Sequence, residues 1–334
     1  MTMATGDKHW RNPSARCMAQ IPLFDPAEGR TVKEPLGEGC GWWAGGCSAM
    51  YDAAASRFYL YYRLRKPREL GRGVDCRVAV SDDGYHFEDI WHATKEAIDT
   101  QSMEKACLFK AGDDLWRLYL SFVDHDGRWC IQMTEAAAPD GFDATNRVPI
   151  LSADDCGAEG VKDPVIYDIG GLLHMIVSYA PNPQAAEAGM AEKMHGNGDV
   201  FNTGIVKSHS GLATSGNGID WVWQGDVLAP PASGWDQYCT RLNSVLYRPP
   251  VYIGFYDGSA GVEENYEEKA GICVSHDLRH WERITVDGPF VLSPHATRTI
   301  RYIEVVPTET RLHFFYEWTR PDGSHELRTN AVEW

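Results

Sequence analysis

Lys162 and Asp163 stand directly ahead of the apolar run Val165-Ile166-Tyr167, and charge meets a strand start in the same way elsewhere in the chain. Glu104 and Lys105 precede Ala106 to Phe109, Arg241 precedes Leu242 to Leu246, and Arg301, Tyr302 and Glu304 fall at the head of a run that ends at Val306. An isolated charge beside buried apolar chain is very costly, so these groups must meet partners or solvent. One arrangement is a structural ion network. The other is a polar pocket in which carboxylates and cations shift one another's pKa. In such a pocket Glu104, Asp163 and Glu304 are candidate general acid and base for cleaving a glycosidic bond. Lys105, Lys162, Arg241 and Arg301 are then candidates for binding substrate or stabilising charge. Trp42, Trp43, Trp235 and Tyr238 lie just ahead of strand starts, where flat faces would stack on a sugar ring, although packing explains the two early tryptophans almost as well. Asp236, Asp257 and Tyr302 complete the candidate substrate-binding set.

The elements that must position these residues form a degenerate repeat, and repeats are sought before local motifs because a missed period misreads the whole fold. Each unit has an apolar strand, a turn, a second strand ending in aromatics, a loop, a third strand, and an Asp/Gly turn leading to an aromatic. Cys47 to Tyr51, Phe58 to Tyr62 and Cys76 to Phe87 make the first unit. Five units, at approximately 40-95, 101-145, 160-225, 238-285 and 298-334, fill nearly all of the 334 residues. Short strands at this spacing with almost no helical period predict an all-β, five-bladed β-propeller forming one domain over 1-334. A β-sandwich is the rival. The segment Ile21-Pro22-Leu23-Phe24 is expected to complete the last blade. The one helical pattern, Gln184 to His195, is expected as an insertion in the third blade.

Propeller geometry places the start of each innermost strand, and the loop between the second and third strands, around an axial funnel. The first unit contributes Gly45 and Gly46 there. The acidic loop with Glu263, Glu264, Tyr266, Glu267 and Glu268 reads as a solvated rim, with a lid over the funnel as the alternative. A closed funnel admits the end of a chain, so an enzyme on this plan is exo-acting.

Composition sets outer bounds. With 43% hydrophobic and 11% aromatic residues the chain is globular, and no apolar run approaches the roughly 20 residues of a membrane span. A formal charge of -16 repels nucleic acid and anionic membrane surfaces, yet leaves room for a small anion at a local basic cluster. Nine cysteines with no CxxC pair suggest reduced thiols, and Met1 to Arg16 lacks the apolar core of a secretory signal, so the expected location is cytoplasmic. None of the twelve histidines belongs to an HExxH motif, Asp124-His125-Asp126 reads as a polar turn, and no catalytic metal is expected. No P-loop, helix-opening GxGxxG or GxSxG elbow is present, so neither a cofactor nor serine-hydrolase chemistry is expected.

Tyr61-Tyr62-Arg63 followed by Cys76-Arg77-Val78-Ala79-Val80-Ser81-Asp82-Asp83-Gly84-Tyr85-His86-Phe87 resembles the first blade of glycoside hydrolase family 130, the mannoside phosphorylases and related glycosidases. Gly160 to Tyr179 is similar to the family's third blade and Trp235 to Gly258 to its fourth. The resemblance implies cleavage of a small glycoside or oligosaccharide by hydrolysis or phosphorolysis with inversion, without a redox cofactor, and makes inorganic phosphate a candidate co-substrate. It also implies that Lys162 matches a position associated with phosphate. The family's acid is the Asp of a second-blade Glu-Asp-Pro-Arg motif, and here that segment reads Glu104-Lys105-Ala106-Cys107. Hydrolysis is therefore expected ahead of phosphorolysis. A lyase or rearrangement with Lys105 as base, and a non-catalytic carbohydrate-binding propeller, stand as alternatives.

Overall fold

The computed structural model describes residues 23–183 and 189–333. After a short strand β1 (Arg30–Lys33), the chain lays down antiparallel strands in successive groups. The first is β2 (Trp43–Asp52), β3 (Arg57–Arg65), β4 (Gly73–Ser81) and β5 (Glu88–Thr94). The second is β6 (Cys107–Gly112), β7 (Leu115–Val123), β8 (Trp129–Ala136) and β9 (Val148–Leu151). The third is β10 (Ala158–Ile169), β11 (Leu172–Pro181), β12 (His209–Ser215) and β13 (Val222–Leu228). The fourth is β14 (Cys239–Arg248), β15 (Val251–Ser259), β16 (Lys269–Ser275) and β17 (Trp281–Arg283), and the last is β18 (Ile300–Pro307), β19 (Arg311–Thr319) and β20 (His325–Glu333).

The second and third groups are separate four-stranded sheets, whereas single parallel contacts, Trp43 with His325 and Lys269 with Ile300, join the other three into one twelve-stranded sheet. Strand β1 pairs antiparallel with β20, so the start of the chain completes the last group. This corrects the expected closure: the fourth strand is Arg30–Lys33, not the stretch around Phe24, and Ile21 and Pro22 lie outside the described residues. Phe24 instead fills the core, its ring 4.8 Å from those of Phe314 and Tyr316. The fourth strand of the second group, at Val148–Leu151, also lies past the expected limit of 145.

Packing follows the alternation of each strand. One apolar cluster joins Val78 and Tyr61 of the first group to Leu118 and Phe122 of the second. Others join the second to the third through Ile131 and Met175, the third to the fourth through Leu212 and Tyr256, and the fourth to the fifth through Phe255 and Phe314. A last cluster, with Leu60, Phe315 and Leu327, returns the fifth group to the first. Each fully buried Leu, Ile or Phe in these clusters contributes about 1.5–3 kcal/mol.

Helix is scarce. Between β11 and β12 lie a helix α2 (Met190–His195) and a 3-10 turn at Val200–Asn202, and a four-residue helix α1 (Lys95–Ile98) follows β5. Of the expected helix from Gln184, residues 184–188 lie outside the described residues. No helix among the described residues is long and apolar enough to cross a membrane.

Candidate functional site

Every innermost strand carries one extra residue near its start. Gly45 pairs with Arg63 and Ser48 with Tyr61, three steps against two, and the same shift falls between Lys162 and Val165, Leu242 and Ser244, and Arg301 and Glu304. In the second group Met103 bridges to Phe122 and Cys107 pairs with Tyr119, four steps against three. A bulge re-aims the side chains around it, and here it does so at the same level in all groups. Asp163 and Tyr302 pay for it with left-handed φ values of 57° and 52°, where Gly46 takes 58° without strain.

The bulge separates two cavities. Glu104, Lys162, Arg241, Arg301 and Tyr302 line a polar one, together with Arg65 at the end of β3 and Glu268 just ahead of β16. Ser48, Cys107, Val165, Val245 and Glu304, from the other side of the same bulges, line a wide apolar cavity of about 770 Å³. Glu104 and Glu304, both candidate catalytic carboxylates, therefore face different spaces.

Glu104 lines the polar cavity among cations. Arg63 Nε donates to its Oε2 at 2.8 Å, Arg65 Nη1 lies 3.6 Å from its Oε1, and the Tyr302 hydroxyl is 3.4 Å from Oε2. Burial alone would raise this carboxyl, but Arg63, Lys162 and Arg65 outweigh it and hold it well below the usual carboxylate range. Arg63 also reaches Glu317 at 3.1 Å. Gly45 makes room for Glu317: a Cβ there would stand 1.9 Å from the Glu317 Cγ.

Across the cluster Arg241 contacts Asp257 at 2.8 Å, Glu268 at 3.1 Å and Asp163 at 3.6 Å, with its guanidinium 4.1 Å from the Tyr302 ring centre. Arg301 holds Glu268 at 2.5 Å and Glu317 at 2.7 Å. Burial raises the Asp257 carboxyl to about 6 against the pull of Arg241, with Glu268 adding to the rise. Asp163 is buried, its two oxygens have no hydrogen bond, and Lys162 Nζ stands 3.5 Å away. The Lys162 ammonium also lies 5.0 Å from the Trp129 ring and 4.9 Å from that of Phe201.

Lys105 and Glu304 form their own pair at 2.5 Å, with Lys105 also donating to the Asn243 carbonyl at 3.2 Å. Burial would lower the Lys105 ammonium, yet Glu304 and Cys47 pull it above its ordinary value. A lysine held protonated in this way is a poor base.

Tyr302 apart, the aromatic candidates line neither of the two cavities. Trp43 stacks on His325 at 4.7 Å, with Arg65 and Arg301 at 4.3 and 4.5 Å from its ring. Trp235 stacks on Tyr256 and donates to the Thr285 carbonyl at 2.7 Å. Asp236 accepts from Tyr256 and Arg283 at 2.7 Å each. Trp42 packs its ring against Gly37 in the loop before β2. Tyr238 accepts from Gly204 and donates to the Phe201 carbonyl, tying down the β11–β12 connection.

The stretch of that connection from Asp199 to Asn202 covers the polar cavity. Asp199 contacts Arg72 at 3.2 Å and Arg68 at 3.7 Å and accepts from the Tyr266 hydroxyl. Asn265 donates to the Phe201 carbonyl at 3.0 Å and to Asn202 at 3.1 Å. So closed, the cavity is about 10 Å³, the room of about one water. Sequence reasoning missed these groups. The loop read as a solvated rim instead buries Glu268 to 1% exposure and pairs Glu267 with His325 at 2.9 Å. The available signal was its position: Glu268 immediately precedes a third strand, as Asp75 and Arg77 mark the head of β4. Arg65 is the last residue of β3.

No protein-family model and no curated protein matches the sequence. Solved structures do match over nearly the whole chain. A thermostable family-43 glycoside hydrolase superposes with a TM-score of 0.61 at 16% identity, covering 91% of this chain and 92% of its own. The β-1,2-mannobiose phosphorylase from Listeria innocua, in complex with β-1,2-mannobiose, does so at 0.60 and 13% identity, covering 97% and 96%. The family-43 enzyme from Xanthomonas citri complexed with xylotriose gives 0.59 and 13%, covering 90% of each chain. The chain thus has the β-propeller fold of glycoside-acting enzymes. Its likeness is to families 43 and 130 of the glycoside hydrolases.

Proposed function

We propose that this protein is a single five-bladed β-propeller that hydrolyses the glycosidic bond of a small glycoside or oligosaccharide in the covered polar cavity on its axis. The observation that carries the reading is Glu104: an ionised carboxylate at a bulged strand start, 3.4 Å from a strained tyrosine and framed by arginines. The propeller fold, shared from end to end with glycoside-acting enzymes, supports it as analogy.

In the proposed reaction Glu104 takes the proton of the attacking water, and the departing oxygen receives a proton from a second carboxyl. Glu268, which lines the cavity, and Asp163, whose oxygens are free of hydrogen bonds, are the two candidates in the cluster. Arg241, Arg301 and Lys162 orient the sugar and balance charge. Entry needs the cover over the cavity to move, since a sugar ring does not fit the closed space. A small carbohydrate is thus the proposed partner. The described cysteines are all free thiols, seven of them buried, which fits a cytoplasmic enzyme.

The test is a product assay with a panel of aryl glycosides and β-mannosides, with and without phosphate. Free sugar from wild type, and none from Glu104→Gln, supports hydrolysis at this site. A sugar phosphate formed only with phosphate present replaces hydrolysis by phosphorolysis. No product under any condition removes the reading.

A further inference from the structure

We propose that the sugar taken by the polar cavity bears a carboxylate, as the sugar of a uronide does; this rests on the glycosidase reading and narrows it to anionic glycosides. The cavity is lined by five cationic side chains, Arg65, Arg72, Lys162, Arg241 and Arg301, against three carboxylates, Glu104, Glu268 and Asp199. Asp163, Asp257 and Glu317 lie alongside or behind the cations, yet the donor capacity is not used up. Arg301 Nη2 and Arg65 Nε are buried without an acceptor, and the Lys162 ammonium has Asp163 only at 3.5 Å. Unmet donors on buried cations are costly, and a ligand oxyanion would satisfy them.

The chain already supplies one such oxyanion. Asp199, on the connection that covers the cavity, places a buried carboxylate against Arg72 and the Tyr266 hydroxyl. A ligand carboxylate arriving as the cover opens would meet cations that this aspartate partly neutralises in the closed form. A guanidinium presents its donors as a planar fork that fits a carboxylate in two-point fashion, whereas a neutral hydroxyl leaves that charge uncompensated.

Titration calorimetry on the full-length protein with glucuronate, galacturonate, glucose, galactose and inorganic phosphate tests the idea. One uronate is expected to bind about 10–100-fold more tightly than its neutral parent, as charged hydrogen bonds allow. Lys162→Gln should remove most of that preference. If Lys162→Gln does not fold, Asp199→Asn serves instead: it loosens the cover for either sugar and removes a competing carboxylate, so it should tighten the uronate by more than the neutral sugar. Equal binding of uronate and neutral sugar overturns the proposal, and so does binding of phosphate alone. Turnover of neutral aryl glycosides without preference for uronides would sink this proposal and leave the glycosidase reading intact. Uronate binding without turnover of any glycoside does the reverse.

Discussion

Lys105 Nζ lies 2.5 Å from Glu304 Oε2, and with that contact the two charges settle each other between the polar and apolar cavities. The pairing keeps Glu304 out of the cluster around Glu104, although both carboxylates stand near the start of an innermost strand. Position along a strand and the side of the bulge together decide which cavity a residue serves.

Glu304→Gln should therefore act on stability more than on chemistry. Removing one partner of a buried ion pair costs about 3–5 kcal/mol, while an apolar replacement of both partners is often neutral. Thermal unfolding of Glu304→Gln, and of the double variant Lys105→Met with Glu304→Leu, should show a large loss in the first and recovery in the second. Turnover per folded molecule should stay within about threefold of wild type, since the group is outside the proposed site.

Glu104→Gln keeps the shape of the side chain and removes its charge. Losing a general base costs about 10²–10⁴-fold in kcat. Steady-state kinetics on the best glycoside should show that drop. Glu268→Gln and Asp163→Asn, assayed on glycosides with good and poor leaving groups, identify the proton donor: its variant spares only the good leaving group.

Trp235→Ala is expected to cost stability and leave sugar affinity alone. Its ring packs on Tyr256 and its indole hydrogen bonds to the Thr285 carbonyl, so truncation opens a cavity worth about 3–5 kcal/mol. A KM raised tenfold with unchanged unfolding temperature would instead make Trp235 a sugar platform.

Ring closure gives a similar test. Phe24 is 1% exposed among Phe290, Phe314 and Tyr316, and Phe24→Ala should cost about 3–5 kcal/mol in denaturant unfolding. An exposed change on the adjoining strand, such as Thr31→Ser, should move the midpoint far less, within about 0.5 kcal/mol.

His313 sets a pH dependence. Burial against Phe58, with Arg311 nearby, lowers its pKa to about 4 from 6.5. The unfolded chain takes up the proton first as pH falls, so the stability contributed by neutral His313 is present above about 6.5 and is lost between there and about 4. Unfolding free energy of His313→Gln followed over that range should lack this component of the slope. An unchanged slope would mean that His313 does not titrate differently on folding.

Much of the architecture is legible in the residues themselves. Short apolar and aromatic runs such as Phe58 to Tyr62 and Val251 to Tyr256, with Asp/Gly turns at regular spacing, mark strands because the strand signal is local. Ring closure was less legible, since Arg30–Lys33 is short and half exposed, and only its pairing with β20 distinguishes it from loop. The charged strand starts were also readable, for a charge ahead of an apolar run must find partners wherever the strand goes.

What the amino-acid order determined by itself was most of the strands and the presence of Glu104, Lys162, Arg241 and Arg301 at their heads. Only the tertiary structure decided which of those charges meet. One extra residue in each innermost strand turns Glu304 toward Lys105 and the apolar cavity, and long-range packing brings Glu268, Arg65 and Asp199 over Glu104 from loops and strands distant in sequence. The physical reason is one of range. Strand formation depends on neighbours a few residues away, whereas a bulge register and a salt bridge between groups depend on where the whole ring closes.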